Sequence, residues 1–256
     1  MSGASPETTR LHILLDGGYG IPRESRPRQE KVFAISKQIA NFLTWQRQQQ
    51  ERRKDSLTEK TGDLAPVTVI GCTDEDMKTA ILERLRFLLQ SDDNVVGAND
   101  ADAAIIEATD NNATVVKGLP SHFSFARDEE HEMELLEDSV YLSPDAPMAL
   151  NPSQAPPGKV IVGLLIDRRV QINRSLHRSE KLNLVAKRWP MDVLSDEYHP
   201  QEPLNVDTIL EALQQWTWNI DSDKTGEVED DTAFVRASLQ AFRHHAERHP
   251  ARPKHR

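Results

Sequence analysis

A single cysteine, Cys72, stands among the 256 residues of this chain. No disulfide can close within it, a thiolate metal cluster is not expected, and a reducing compartment is the natural setting. Aromatic residues make up only 5%, and no apolar run approaches the roughly eighteen residues that a membrane span requires, so no membrane association is expected. The first ten residues, MSGASPETTR, lack the apolar stretch of a secretory leader and are poor in arginine. Neither export nor a transit peptide is therefore expected. What is present, 38% hydrophobic residues alongside 28% charged ones, suits one large soluble domain or two small ones with a sizeable core.

The net charge of −10 argues against nucleic acid only as an average. Nine basic residues stand against three acidic ones between Arg23 and Lys54, and eight against two between Lys159 and Arg188. From Arg243 to Arg256 five basic residues face Glu247 alone. The acidic excess sits elsewhere, as in DEEHEMELLED from Asp128 to Asp138. Local patches, not the total, decide whether a polyanion can dock. On charge alone, ordinary solvated helix faces explain the same pattern equally well.

Periodicity gives the order of elements. LHILLD, Leu11 to Asp16, reads as a buried strand stopped by GGYG. A helix follows from about Arg28 to Gln50, with Val32, Ile35, Ile39, Phe42 and Leu43 at helical spacing. After a polar linker, VTVIGC is a second strand and Asp74 to Gln90 a helix with an acidic first turn. Residues 91–125 resist assignment, although AAIIEA and ATVVKG are candidate short elements. Ser139 to Pro147 reads as a strand running into a proline-bounded loop, and Lys159 to Asp167 as a strand. A helix is expected near 176–184, a strand and loop in LVAKRWP, and two helices over 206–218 and 232–247. Alternating strands and helices predict an α/β fold with a mostly parallel sheet flanked by helices.

In such a sheet the ligand site lies beyond the carboxyl ends of the strands. The stretch GKVIVGLLIDRRV, Gly158 to Val170, would deliver Asp167 to that crevice, with Arg168 and Arg169 at its mouth, placed to meet phosphate. Gly163 would let a backbone or a ligand approach the strand closely. Spacing alone equally permits Asp167 to be a helix cap and the arginines to be solvated.

Three segments in order, VYLSPDAPMALN, GKVIVGLLIDRR and AKRWPMDVL…EPLNVDTILEAL, together resemble the tRNA purine-9 N1-methyltransferase family, a branch of the SPOUT superfamily. The earlier LLDGGYG…FAISKQIANFLTWQRQ is similar to that family's first strand and helix, so the resemblance runs from about residue 9 to 218. Leu164 replaces the second glycine of the family's strand, and Arg168-Arg169 replace its Asn-His. Trp189-Pro190 stand for its Leu-Pro, and Asp207-Thr208 for a second Asn-His.

The resemblance implies a SPOUT-type domain over residues 9–220 with a C-terminal trefoil knot at about 159–218. A disordered segment 1–8 would precede it, and an acidic loop with a C-terminal helix (221–247) and a basic tail (248–256) would follow. It implies S-adenosyl-L-methionine held on three loops: Leu142, Ser143 and Pro144; Trp189, Pro190, Met191 and Asp192; and Leu204, Asn205, Val206, Asp207 and Thr208. Gly163 would lie beside them. Asp167, taken as the one carboxylate at a predicted strand end next to those loops, becomes the general base. Guanine N1 carries a hydrogen that a base must remove, whereas adenine N1 offers a free lone pair; guanine is favoured, and the sequence does not separate the two.

The implied substrate is tRNA, its target base extruded into the pocket and its backbone met by Arg168, Arg169, Arg174, Arg178, Lys187 and Arg188. Arg47, Arg52, Arg53 and Lys54 with the tail ARPKHR would clamp the flanks. The family's long basic extension has no counterpart before the first strand, so a protein partner aiding RNA binding is expected. The resemblance further implies a monomer in the nucleus or cytoplasm, with the mitochondrion as the other location. Two alternatives stay open: another structured RNA as substrate, and a non-catalytic RNA-binding scaffold on the same fold.

Other motifs carry less. DSDKTGEVEDDT, Asp221 to Thr232, approaches a calcium loop, but its twelfth position is Thr232 where a bidentate glutamate is required. An acidic surface loop is the expectation. His244, His245 and His249 read as part of a solvated basic tail. Trp216 and Trp218, two apart, cannot share a helix face, so one is expected in the core and the other exposed or at an interface.

Overall fold

The computed structural model describes residues 10–20, 24–55, 63–91, 106–108, 114–116, 119–165, 171–194, 204–223 and 230–248. In chain order these form β1 (His12–Asp16), α1 (Ser25–Asp55), β2 (Val67–Ile70), α2 (Glu75–Ser91), β3 (Ile106–Ala108), β4 (Thr114–Val116), β5 (Phe123–Phe125) and α3 (Glu129–Leu136). There follow β6 (Val140–Leu142), β7 (Lys159–Gly163), α4 (Arg174–Lys181), β8 (Val185–Lys187), a 3₁₀ turn (Met191–Leu194), α5 (Val206–Asp223) and α6 (Asp230–Arg248). Among the described residues no helix is long and apolar enough to cross a membrane.

Six strands make one sheet in the order β5-β2-β1-β7-β6-β8, every pair parallel. β3 and β4 form a separate antiparallel pair. This is the expected α/β architecture. β5 falls in the stretch the periodicity left unassigned, because three residues, Phe-Ser-Phe, are too few to display a period. The strand expected to run to Asp167 ends at Gly163. Its neighbours set that limit: β1 ends at Asp16, in register with Gly163, and β6 ends at Leu142, beside Val162. Residues 166–170 and 195–203 lie outside the described residues. The trefoil knot depends on their path and stands as an expectation. The segments 1–8 and 249–256 and the centre of the acidic loop, 224–229, are outside as well.

Alternation along the strands splits the core. Leu11, Ile13 and Leu15 with Val67, Val69, Val160 and Val162 face α1, α2, α5 and α6, whereas Leu14, Ile70, Tyr141 and Ile161 face α3 and α4. Side-chain caps start two of the helices. Asp74 accepts from the backbone N–H of Met77 at 3.1 Å ahead of α2, and Asp128 from that of His131 at 2.8 Å ahead of α3.

α5 is buried without interruption from Val206 to Trp216, and this overturns the tryptophan expectation. Trp216 is 1% and Trp218 3% exposed. Trp216 packs edge-on against Phe234 of α6, with ring centroids 4.9 Å apart. Trp218 stacks on Trp45 of α1 and donates its indole N–H to the Asp63 carbonyl at 3.2 Å. A helix enclosed between α1 and α6 buries more than one face, so residues two apart are both interior. One of its buried polar side chains is satisfied laterally: Gln214 Oε1 accepts from Ala65 N at 2.7 Å and from Gln46 Nε2 at 3.1 Å.

The histidines also differ from expectation. His244 and His245 belong to α6, where His244 Nδ1 lies 3.4 Å from Glu211 Oε2 and His245 faces Asn205; His249 lies outside the described residues. Glu211 is wholly buried and pairs with Arg248, while Asp207, one turn earlier, accepts from Asn41 Nδ2 at 2.9 Å. Burial pushes the Glu211 carboxyl up to about 7, the Arg248 guanidinium opposing the shift and the Asp207 charge adding to it. The carboxyl therefore holds its proton more tightly in the fold than in the unfolded chain. Its contribution to stability is complete below the ordinary glutamate range and is lost as pH rises through about 7. Denaturant titrations from about pH 5 to about pH 8 are expected to show the wild type losing stability relative to Glu211→Gln by on the order of 1–3 kcal/mol. Parallel profiles for the two proteins would contradict this assignment.

Candidate functional site

β1 ends on Asp16, whose backbone carbonyl accepts from Leu164 N at 2.9 Å while the following Gly17 N donates to Ile70 O at 2.8 Å. The chain then turns through Gly17, Gly18 and Tyr19 across the carboxyl ends of β2 and β7. The Asp16 side chain is wholly buried and is met by four hydrogen bonds. Gly18 N donates to Oδ1 at 2.8 Å and Tyr141 Oη to Oδ2 at 2.9 Å. Arg178 of α4 supplies the other two, Nε to Oδ2 at 2.8 Å and Nη2 to Oδ1 at 3.2 Å. A buried carboxylate in a sheet is tolerated on these terms, paired and fully hydrogen-bonded.

The tyrosines extend this network. Since Tyr141 spends its proton on Asp16, Tyr19 is the donor in the hydrogen bond between the two hydroxyls. Burial pushes the Tyr19 phenol up to about 12. Tyr141 is raised further, first by burial and then by the Asp16 charge. Both remain hydroxyls at neutral pH, so the chain Tyr19–Tyr141–Asp16 orients groups and does not supply a base. Tyr19 lies directly over β7: a Cβ added at Gly163 would come within 2.6 Å of its hydroxyl. The close approach expected at Gly163 is therefore made by the Tyr19 side chain.

Arg174, one helical turn before Arg178, donates to the Tyr19 carbonyl at 2.9 Å, and its guanidinium lies 5.5 Å from the Tyr19 ring centroid. Two arginines of α4 thus grip the β1 turn. On the far side, Gly71 has φ +66° and donates its N–H to Glu132 at 2.9 Å; a Cβ there would stand 2.7 Å from Asp16 Oδ1.

The sequence-derived site residues separate as follows. Asp167, Arg168 and Arg169 lie outside the described residues. Ser143 is buried at the end of β6, its N–H on the Lys187 carbonyl at 3.0 Å and its hydroxyl 2.8 Å from that of Ser175. Leu142 is half-buried and Pro144 exposed. At the end of neighbouring β8, Trp189 and Pro190 are buried, Met191 is half-buried and Asp192 exposed. The Trp189 ring enters the core between Phe234 and Trp216, at 5.1 and 6.3 Å between centroids.

The loops after β6 and β8 are thus adjacent. The third segment is held against α1: Val206 N donates to Gln38 at 2.8 Å and Asp207 bonds Asn41. In it Leu204 and Asn205 are half-buried, and Val206, Asp207 and Thr208 are buried. Of the arginines assigned to RNA, Arg174 and Arg178 turn towards Tyr19 and Asp16. Arg188 donates to the Pro147 carbonyl at 2.6 Å, and Lys187 is half-buried within β8. Arg53 lies over the Trp218 ring at 3.8 Å.

Sequence reasoning missed Asp16, Tyr19 and Tyr141. It also took Asp167 as the one carboxylate at a strand end beside these loops, and Asp16 corrects this: it is in register with Gly163 and bonded to Tyr141, the residue before Leu142. The signal was present, since LLDGGYG has the same form, an apolar strand, an acid and a glycine-rich turn, that singled out Asp167. Asp16→Ala is expected to destabilise the fold by roughly 3–5 kcal/mol, the loss typical when a buried pair loses one member. The double variant with Arg178→Met should lose less than the sum of the two single changes, by about 0.5–3 kcal/mol. Denaturant unfolding of the three variants measures this, and strict additivity would deny the coupling.

No family model matches the sequence, and no curated protein matches it significantly by sequence. Solved structures match it in fold. The crystal structure of spTrm10(74) superposes over 94% of this chain and 97% of its own, with TM-score 0.54 and 13% identity. The crystal structure of full-length spTrm10 in complex with SAH covers 93% of this chain and 99% of its own, with TM-score 0.52 and 13% identity. Over nearly its whole length, the chain has the fold of these Trm10 structures.

Proposed function

We propose that this chain is an S-adenosyl-L-methionine-dependent tRNA methyltransferase acting on N1 of the purine at position 9, guanine in preference to adenine. The observation that carries this reading is the likeness to spTrm10, one structure of which is an SAH complex, over more than nine-tenths of the chain. The ordered motifs of the sequence resemble the same family.

The loops suit an adenosine-bearing cofactor. Leu142, Met191 and Leu204 are partly buried apolar residues bordering one core cluster. In the third segment the Thr208 hydroxyl, in the first turn of α5, is buried with no hydrogen-bond partner among the described residues. When bound, the sulfonium cofactor supplies an activated methyl group, which leaves alignment and one proton to the protein.

Tyr19, fixed over Gly163 by Tyr141 and Arg174, forms a wall at the strand ends. Asp16, already committed to four donors, holds that wall and α4 in place. The proton on guanine N1 goes to Asp167, the remaining acid proposed at this end of the sheet, while Arg168 and Arg169 meet the phosphates of the extruded nucleotide.

Purified protein incubated with S-adenosyl-L-methionine and unmodified tRNA transcripts is expected to yield 1-methylguanosine at position 9, read by nucleoside mass analysis. Asp167→Asn should lower the rate about 10²- to 10⁴-fold. Product with an undiminished rate in the variant would assign the proton to water or the target to adenine. Absence of both product and cofactor binding would refute the enzyme reading.

A further inference from the structure

Outside the strand-end site, α1 and α2 share an exposed face of unusual composition. Phe33, Lys37, Asn41, Thr44 and Gln48 recur at intervals of three or four along α1 and form one stripe. Arg84 of α2 lies over this stripe, its guanidinium 4.7 Å from the centroid of Phe33 and 5.0 Å from that of Phe87. Both rings are open to solvent, Phe33 at 41% and Phe87 at 58% of their surface. In a chain with only fourteen aromatic residues, two large exposed rings steadied by one cation are not accounted for by core packing.

Beyond the rings the stripe opens into a cleft of about 320 Å³ between α1, α2 and the end of α6. Its lining includes Lys37, Asn41, Thr44, Gln48, Leu88 and Arg248. The two charged residues in that lining are both cations, although the chain carries −10 overall. Glu211 and Asp207 lie beneath Arg248 but are buried, which leaves Lys37 as the cation standing in solvent. Amides and a hydroxyl supply the remaining polarity.

We propose that this face binds an unstacked, single-stranded segment of the RNA substrate, with a base stacked on Phe87 and a phosphate at Lys37. Exposed rings take bases of any sequence, a nearby cation takes the backbone, and the exposed Gln48 amide reaches base edges and 2′-hydroxyls. An apolar protein partner would want a dry groove, whereas five of the eight lining residues carry amide, hydroxyl, ammonium or guanidinium groups. The location is consistent with a substrate held at the strand ends. α1 starts beside the β1 turn, Lys31 donating to the Gly20 carbonyl at 3.0 Å. Phe33 and Lys37 lie about 12 and 18 Å further along the helix from its first residue. The proposal rests on the reading of this chain as an RNA-acting protein.

Fluorescence anisotropy with a labelled, unmodified tRNA transcript over a salt series tests it, using the wild type, Phe87→Ala, Phe87→Tyr and Lys37→Gln. Phe87→Ala should weaken binding about tenfold, the factor expected for one lost base stack, and Phe87→Tyr, which keeps a ring, should stay within about twofold of the wild type. Lys37→Gln should reduce the slope of log affinity against log salt by about 0.7–0.9, one phosphate contact. Thermal unfolding of Phe87→Ala at the wild-type temperature would exclude misfolding as the cause, and Lys37, on the surface, provides an independent arm. Measurable wild-type binding left unchanged by both substitutions would overturn this proposal and leave the RNA reading intact. A wild type that binds no tRNA even at low salt would overturn the RNA reading and this proposal with it.

Discussion

A carboxylate buried at the end of a central parallel strand finds no donors on its own strand, so the surrounding chain must bring them. Asp16 receives them from the turn that follows it, from Tyr141 on β6 and from Arg178 on α4. Those contacts fix three segments that are far apart in sequence. Gly71 and Gly163 fit the same constraint, since a side chain at the first would collide with the Asp16 carboxylate and at the second with the Tyr19 hydroxyl. Removing the acid would leave a guanidinium only partly exposed to solvent, and removing the guanidinium would strand a charge at zero exposure. The geometry at the carboxyl ends of β1 and β7 is determined by this one ion pair.

The opposite face of the sheet answers to a different demand. α5 lies between α1 and α6 with eleven consecutive residues buried, Val206 to Trp216. Its apolar side chains interlock with Trp189, Phe234 and Trp45, and among its polar ones Gln214 finds partners sideways in Gln46 and Ala65. Glu211 is the costly member, buried beside another acid and balanced by Arg248. Trp189, at the loop after β8, is drawn into this core, which explains why a large ring stands at a position the resemblance would give to leucine.

Charge follows the same division of labour. Several basic residues that read as free cations in the sequence are occupied: Arg178 by Asp16, Arg174 by the Tyr19 carbonyl, Arg188 by the Pro147 carbonyl, and Arg53 by the Trp218 ring. The face of α1 and α2 bearing Phe33, Lys37 and Phe87 sets the Arg84 guanidinium over two exposed rings instead. A chain with net charge −10 can therefore offer a local cationic, aromatic surface without being basic as a whole.

The sequence by itself determined the α/β class and the order of the longer elements, and it directed attention to the strands' carboxyl ends. These follow from local periodicity and from glycine-bounded apolar runs, which need no partner to be read. It also pointed to LLDGGYG as a strand ending in an acid, but not to what that acid meets. The Asp16–Arg178 pair spans 162 positions and the Asp16–Tyr141 bond 125, and no local pattern carries such separations. Only the tertiary structure decided that Arg174 and Arg178 face inward, that Trp216 and Trp218 are both interior, and that β5 joins the sheet. In each case the deciding quantity is what packs on the far side of the residue, and that is set by strand order and helix enclosure.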